Sequence, residues 1–197
     1  MFRTPLLKIA FLISLSCVAA APAWAQWATP TVDGFIANGE YGTDNQLNNA
    51  GNTGQTWYMT WDANNLYVGI VNANIYESAV IYIKGNPQNP PTCCTNADGN
   101  LTGFNYDNTS FSSLPFRAAF VTYMKNGYRE YRNSDGNGGW GGSTANYGQY
   151  ADNQSNTNTR EVAIPWSAIT GGGMPSSFVF CQRRRTIPVL PGHGLRP

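Results

Sequence analysis

Short alternations of apolar and polar residues, separated by turn-forming residues, run through most of this chain. Residues 55–61 (QTWYMTW) place Trp57, Met59 and Trp61 on one face of an extended segment, because successive side chains of a strand point to opposite sides. Residues 66–71 (LYVGIV) repeat the pattern, and the intervening Asp-Ala-Asn-Asn favours a turn. The pattern therefore predicts a β-hairpin.

Five more segments read as strands, and a sixth is a candidate. Asn126-Gly127 is a strong two-residue hairpin signal, because both positions tolerate positive φ. It joins a long segment, 116–125, to the segment 128–132. The other predicted strands are 78–83, 160–165 and 177–181, with 35–41 as a further candidate.

The expected fold class is all-β, an antiparallel β-sandwich, with the alternative that its last strands are missing. No segment shows helical periodicity over twelve residues, and 166–170 offers a single turn. Several strands with turn signals between them are typical of a sandwich. The Asn-, Gly- and Pro-rich stretches 43–54, 85–114 and 133–158 are predicted to be long loops.

Both ends of the chain differ from its centre. Residues 1–25 combine a basic start, an apolar run and Ala23-Trp24-Ala25, the pattern of a secretory signal peptide. Residues 26–181 form the predicted sandwich domain. Residues 182–197 (QRRRTIPVLPGHGLRP) form an irregular basic tail, for which three interpretations stay open: a partner-binding tail, an unstructured end, or the product of a truncation or frameshift.

Three motifs in order resemble those of the carbohydrate-binding family 9 and DOMON-like β-sandwich superfamily. They are VDGFI with a following GEY (32–41), WDANNLYV (61–68) and REVAIPW (160–166). More narrowly, the chain is similar to exported bacterial proteins that often carry a type IX secretion sorting domain. The resemblance covers residues 31–181 and implies a sandwich that binds an extracellular ligand.

The motif residues also have structural explanations. Asp33-Gly34 and Asp62 suit turns, and Pro165 suits the end of a strand because it cannot donate to the ladder. Trp61 and Trp166 are therefore interpreted mainly as packing residues.

Composition narrows the classes of function that the sequence supports. Charged residues make up 12% of the chain, and the net charge of +1 gives no reason to expect a nucleic-acid partner. The single histidine, His193, leaves no His-rich metal site and makes haem an improbable cofactor. No spacing selects a pair of carboxylates for glycoside hydrolysis, so we expect a protein that is not an enzyme.

Sugar binding suits this composition better. Aromatic rings stack on the C–H faces of sugars, and Asn, Gln, Asp and Arg bond their hydroxyls. The candidate ligand-binding residues are Trp140, Trp57, Tyr128, Tyr131, Arg117 and Tyr147.

Two of these candidates have competing interpretations. Trp140, in a glycine-flanked loop, is either an exposed stacking platform or a lid over one end of the sandwich. Arg117 is either a ligand for hydroxyls or carboxylates, or part of an exposed ion pair. Tyr128 and Tyr131 point to opposite faces of one strand, so at least one of them belongs to the core.

Metal and disulfide assignments are weaker. Asp98, Asn100 and Asp135 lie in oxygen-rich loop fragments that suit either calcium or plain turns, and neither fragment completes an EF-hand. Cys93 and Cys94 are adjacent, an arrangement that disfavours a bond between them. A bridge from either one to Cys181 stays open.

The sequence thus predicts a secreted, non-catalytic β-sandwich module that binds carbohydrate or another extracellular ligand through aromatic and Asn-rich loops. Two alternatives are a structural or adhesive cell-surface module without a small-molecule site, and an accessory domain of a larger glycan-active enzyme. The expected location is extracellular or on the cell surface, with the periplasm as the alternative. No membrane partner is expected once the leader is removed.

Overall fold

Two antiparallel sheets of five strands each pack face to face in the computed structural model. The structure describes residues 28–42, 46–48, 54–108, 113–155 and 158–184. Within these ranges the elements are β1 (Gln46–Asn48), β2 (Thr56–Trp61), β3 (Asn65–Val71), β4 (Ala79–Gly85), a 3-10 turn (Asn96–Asp98), β5 (Phe120–Lys125), β6 (Tyr128–Asn133), β7 (Thr144–Ala145), β8 (Gln149–Asn153), β9 (Thr159–Pro165), α1 (Trp166–Thr170) and β10 (Phe178–Arg184). The predicted β-sandwich is confirmed.

The chain passes between the two sheets three times. The first sheet has the strand order β1-β2-β3-β9-β8, and the second has the order β10-β4-β5-β6-β7. The connections β3–β4, β7–β8 and β9–β10 therefore cross from one sheet to the other. Such crossings make the sandwich a single unit, because neither sheet is built from one continuous stretch of chain.

The first hairpin forms as predicted. β2 pairs with β3, and Trp61 faces Leu66 across the end of the ladder. Asp62 closes the turn, since its Oδ1 accepts from the backbone N–H groups of Asn64 (2.7 Å) and Asn65 (2.8 Å). This side-chain bonding to nearby backbone is the property that makes Asp a turn residue.

The second hairpin is confirmed at its turn and corrected at its start. Lys125 faces Tyr128 across the two-residue turn, in which Asn126 has φ 47° and Gly127 has φ 78°. These positive values are those that a hairpin turn of this length requires. The strand β5, however, begins only at Phe120, four residues later than the predicted start at residue 116.

Alternate residues of both sheets meet in a central core. The first sheet contributes Trp57, Met59, Leu66, Val68 and Ile70, and the second contributes Ala79, Ile81, Ile83, Phe120 and Met124. The helix α1 adds Trp166, which is 1% exposed. Trp166, the last residue of the REVAIPW motif, is therefore a packing residue, as predicted.

A second apolar layer covers the outer face of the second sheet. Val80, Tyr82, Val121 and Tyr123 point away from the central core. The described part of the segment between β4 and β5 lies over them and contributes Tyr106, Leu114, Phe116 and Ala118. This covering explains why β4 is apolar on both faces, and it gives the long predicted loop a structural role.

The N-terminal segment covers the outer face of the first sheet in the same way. Glu161, on β9, accepts hydrogen bonds from the backbone N–H groups of Asp33 (3.3 Å) and Gly34 (2.8 Å) and from the Tyr41 hydroxyl (3.0 Å). Glu161 is fully buried, and this burial raises the pKa of its carboxyl group despite the hydrogen bonds. Asp33, Gly34 and Tyr41 thus hold the N-terminal segment onto the first sheet.

Several element boundaries differ from the prediction. Residues 35–37 have no regular structure and residues 38–41 form a turn, so no strand forms here; Ile36 and Tyr41 instead pack on the outer face of the first sheet. The stretches predicted as loops contain β1, β7 and β8. β10 continues to Arg184, so the first three residues of the predicted irregular tail are paired with β4. Residues 1–25 and 185–197 lie outside the described residues.

Arg160 holds one end of the sandwich together. Its side chain is 2% exposed and lies between the sheets. Nη1 donates to the carbonyl oxygen of Met124 (3.2 Å) on β5, and Nη2 donates to those of Ile75 (2.8 Å) and Glu77 (3.0 Å) in the β3–β4 connection, with a longer contact to Asn74 (3.4 Å). A residue of the first sheet therefore binds the backbone of the second sheet and of the connection between them.

Among the residues that the structure describes, no helix has the length and apolar character needed to cross a membrane.

We expect Arg160→Met to lower the free energy of unfolding by at least about 3 kcal/mol, because it leaves several buried carbonyl oxygens without a donor. Urea unfolding followed by tryptophan fluorescence measures the change. Arg117→Met is the matched control: Arg117 also donates to backbone carbonyls, but in a peripheral loop, so its loss is expected to be clearly smaller. Equal losses in the two variants would contradict the special role of Arg160.

Glu161 is expected to make stability depend on pH. Its pKa in the folded protein lies above the ordinary 4.5, so the folded state holds this proton more tightly than the unfolded chain does. The contribution of this group to the free energy of unfolding therefore falls as pH rises from about 4.5 through the raised value. Glu161→Gln removes this part of the pH dependence. It also costs about 1–3 kcal/mol, because an amide cannot accept all three hydrogen bonds.

Urea unfolding across the range from about pH 4 to about pH 8 tests this prediction. Parallel curves for the natural protein and Glu161→Gln would show that Glu161 does not produce the pH dependence.

Candidate functional site

Three of the aromatic candidates belong to the core. Trp57 is 1% exposed and Tyr147 is 7% exposed, so neither ring has a face for a ligand. Tyr131 is half-buried and stacks on Phe120, with 5.2 Å between the ring centroids. The expectation that these rings bind a ligand at the surface is corrected, because the inner face of each strand is covered by the opposite sheet.

Trp140 folds back onto the outer layer of the second sheet. Its indole Nε1–H donates to the Thr102 carbonyl oxygen (3.0 Å), and its ring lies 5.9 Å from that of Tyr82. The side chain is half-buried. It is therefore a covering residue, but it covers a sheet face rather than the end of the sandwich.

Arg117 organises a loop. Its guanidinium donates to the carbonyl oxygens of Thr92 (3.0 Å) and Gly99 (3.0 Å) and to Asn96 Oδ1 (3.3 Å). All three acceptors are neutral, so the ion pair considered from the sequence is replaced by loop bonding.

The three calcium candidates make local turn contacts. Asp98 accepts from the Thr95 N–H (3.0 Å), and Asp135 Oδ1 accepts from the N–H groups of Asn137 (2.7 Å) and Gly139 (2.9 Å). Asn100 is 1% exposed, and its Nδ2 donates to the Gly139 carbonyl (2.6 Å). Across the described ranges, no cluster of three or more His, Cys, Asp or Glu side chains could hold a metal ion.

The cysteines pair differently from the expectation. Cys93 and Cys94 form a disulfide bond with each other. Cys181 is a free thiol on β10, half-buried against the outer layer of the second sheet. Neither candidate bridge to Cys181 is formed, because Cys93 and Cys94 are bonded to each other.

Tyr128 is the one aromatic candidate with a clearly exposed ring. It is 44% exposed at the start of β6, immediately after the Asn-Gly turn. Its hydroxyl donates to Glu130 Oε2 (2.6 Å), and this hydrogen bond raises the pKa of the Tyr128 phenol. The ring is therefore exposed and also held in place.

Tyr128 ends a row of aromatic rings on the outer face of the second sheet. We call Phe104, Tyr106, Tyr123 and Tyr128 the aromatic row. Successive ring centroids lie 4.8, 4.6 and 6.2 Å apart along it. Tyr106 and Tyr123 are buried, Phe104 is half-buried, and Tyr128 is exposed. The row supports the exposed ring from behind, since aromatic pairs at such distances pack favourably.

Charged side chains flank the exposed end of this row. Asp107 accepts from the Tyr123 hydroxyl (3.2 Å) and pairs with Lys125 (3.1 Å). Burial alone would raise the pKa of Asp107, but the hydrogen bond and charge of Lys125 lower it below its ordinary value.

Glu130 pairs with Arg132 (3.2 Å), whose guanidinium lies 4.2 Å from the centroid of the Phe104 ring. We call Tyr128, Glu130, Arg132, Asp107 and Lys125 the tyrosine site. It contains two carboxylates and two cations, so these charges balance.

Strand alternation could have located part of this site. Positions 123 and 125 of β5 and positions 128, 130 and 132 of β6 share the outer face, as their cross-strand pairing shows. Phe104, Tyr106 and Asp107 come from the long β4–β5 segment. No local pattern in the sequence places that segment on this face.

Other recesses are less suitable for stacking. One lies beside the N-terminal segment and is lined by Tyr41 and Tyr58, but Tyr41 is 1% exposed and Tyr58 is half-buried. Another lies beside α1 and is lined by Ser134, Asp135 and Thr170 without an aromatic ring.

The comparisons with known proteins found no relative of this chain. No protein-family model matches the chain, and neither the curated proteins nor the solved structures contain a match.

Glu130→Gln is expected to lower the pKa of the Tyr128 phenol, because the hydrogen bond to an anionic carboxylate is what raises it. Ultraviolet titration of the tyrosines measures the change. Tyr128→Phe identifies the transition, since it removes that phenol from the curve. A Tyr128 transition at the same pH in Glu130→Gln and in the natural protein would contradict the contact.

Proposed function

We propose that this protein is a secreted, non-catalytic β-sandwich that binds carbohydrate at the tyrosine site. The observation that carries the proposal is the Tyr128 ring, which is 44% exposed while its hydroxyl is bonded to Glu130 at 2.6 Å. An exposed ring that is already fixed loses little conformational entropy when a ligand stacks on it.

The surroundings of the ring suit a sugar. A sugar presents an apolar C–H face and a rim of hydroxyl groups that both donate and accept hydrogen bonds. Carboxylates accept hydrogen bonds, and guanidinium and ammonium groups donate them. Glu130, Asp107, Arg132 and Lys125 place both kinds of group around Tyr128. The balance of charge in the site favours a neutral sugar over a strongly charged one.

Two features support export. The pattern over residues 1–25 predicts a signal peptide, although those residues lie outside the described part of the chain. The Cys93–Cys94 disulfide bond fits an oxidising compartment, where such bonds persist. The proposed location is therefore outside the cytoplasm, on the cell surface or in the medium.

The motif resemblance bears on the proposed fold rather than on the proposed ligand. Asp62, Trp166 and Glu161 all stabilise the fold, through a turn, the core and the N-terminal layer. These roles explain why such motifs would recur in sandwiches with different ligands. Membership of the carbohydrate-binding family 9 or DOMON-like superfamily stays a prediction.

A glycan array tests the proposal. We expect saturable binding of the natural protein to at least one neutral glycan, and Tyr128→Ala should weaken it by about tenfold or more, a change of about 1.4 kcal/mol. Tyr76→Ala is the matched control: Tyr76 is 52% exposed but lies outside the aromatic row, so its removal should leave binding unchanged.

Two outcomes would contradict the proposal. Equal binding by the natural protein and Tyr128→Ala would show that the binding site lies elsewhere. Binding to cells or matrix protein but to no glycan would favour a structural or adhesive module. Circular dichroism of each variant confirms that the fold is retained.

A further inference from the structure

A small cavity lies between the sheets at the Arg160 end of the sandwich. Its lining includes Gln55, Trp57, Ala73 and Arg160. The space inside holds about one water molecule. Three of these side chains, Gln55 (5% exposed), Trp57 (1%) and Arg160 (2%), are polar and buried.

Three polar atoms of the lining have no hydrogen-bond partner among the residues that the structure describes. They are Gln55 Oε1, Trp57 Nε1 and Arg160 Nε. Other parts of Arg160 are satisfied, because Nη1 and Nη2 donate to backbone carbonyl oxygens. Buried polar groups in native proteins are nearly always hydrogen-bonded to protein or to ordered water. Three unpaired atoms around one cavity therefore point to a guest inside it.

Strand register explains why these atoms share one cavity. Trp57 on β2 faces Ile70 on β3, and Ile70 faces Arg160 on β9. The three residues form a row across the inner face of the first sheet. The apolar Ile70 leaves a gap between the indole and the guanidinium that neither group fills.

The number of donors and acceptors identifies the guest. Trp57 Nε1 and Arg160 Nε are donors, and Gln55 Oε1 is an acceptor. A water molecule accepts two hydrogen bonds and donates two, so it serves all three atoms. A halide only accepts, and would leave Gln55 Oε1 unpaired. We propose that one internal water molecule occupies this cavity and links β2 to Arg160 across β3.

Nuclear magnetic resonance of the natural protein tests this proposal without altering the core. We expect a cross-relaxation signal between the Trp57 indole N–H and water, with the sign of a long-lived internal molecule. Trp166 provides an internal control: its indole is also 1% exposed, but its Nε1 already donates to the Asp62 carbonyl at 2.9 Å. Its N–H should give no such signal.

Two variants test the origin of this cross-relaxation signal. Trp57→Phe confirms the assignment by removing the resonance. Ser78→Ala removes the hydroxyl of another residue that lines the cavity. If the signal comes from a water molecule in the cavity rather than from exchange through this hydroxyl, it should persist in this variant.

Three outcomes would overturn the proposal. These are the absence of the signal at Trp57, its loss in a folded Ser78→Ala variant, or a saturable shift of the Trp57 indole resonance with bromide at constant ionic strength. The last result would assign the cavity to an anion.

Discussion

The Arg160 guanidinium is the interaction on which the arrangement of the two sheets depends. It is buried at one end of the sandwich, and its acceptors are backbone carbonyl oxygens of β5 and of the β3–β4 connection. Taking a cation out of water costs a large free energy unless its N–H groups find acceptors. The crossing from β3 to β4 must therefore bring its carbonyl oxygens to Arg160, and this requirement sets how the sheets meet at that end.

A second polar anchor lies at the other end. The Trp166 indole donates to the Asp62 carbonyl oxygen, while the Asp62 side chain accepts from the Tyr67 hydroxyl. Between the anchors the central strands β3 and β4 are buried on both faces, because the N-terminal segment covers one outer face and the β4–β5 segment covers the other. Such doubly covered strands leave little room for charged residues, in keeping with the 12% of charged residues in the chain.

The parts of the fold that could be predicted from the sequence are those stabilised by local contacts. The two hairpins follow from Asp62 and Asn126-Gly127, whose bonding and φ values are properties of the turns themselves. β8 (QYADN) has no apolar alternation and forms a strand only because β9 lies beside it. Residues 35–41 have strand-like composition, but a buried Glu161 far along the chain holds their neighbours in a different shape.

The candidate site, like the fold, could be predicted from the sequence only in part. Alternation correctly separates Tyr128 from Tyr131, but it does not reveal which face of each sheet is covered. Trp57 therefore fits the sequence pattern of a ligand-binding residue, although the opposite sheet buries it. Tyr128 differs from the core rings because the covering layer stops beside it, and Glu130 holds its hydroxyl where that layer ends. The proposed carbohydrate site therefore depends on a ring that the covering layer leaves exposed, that Glu130 holds by its hydroxyl, and that a buried aromatic row supports from behind.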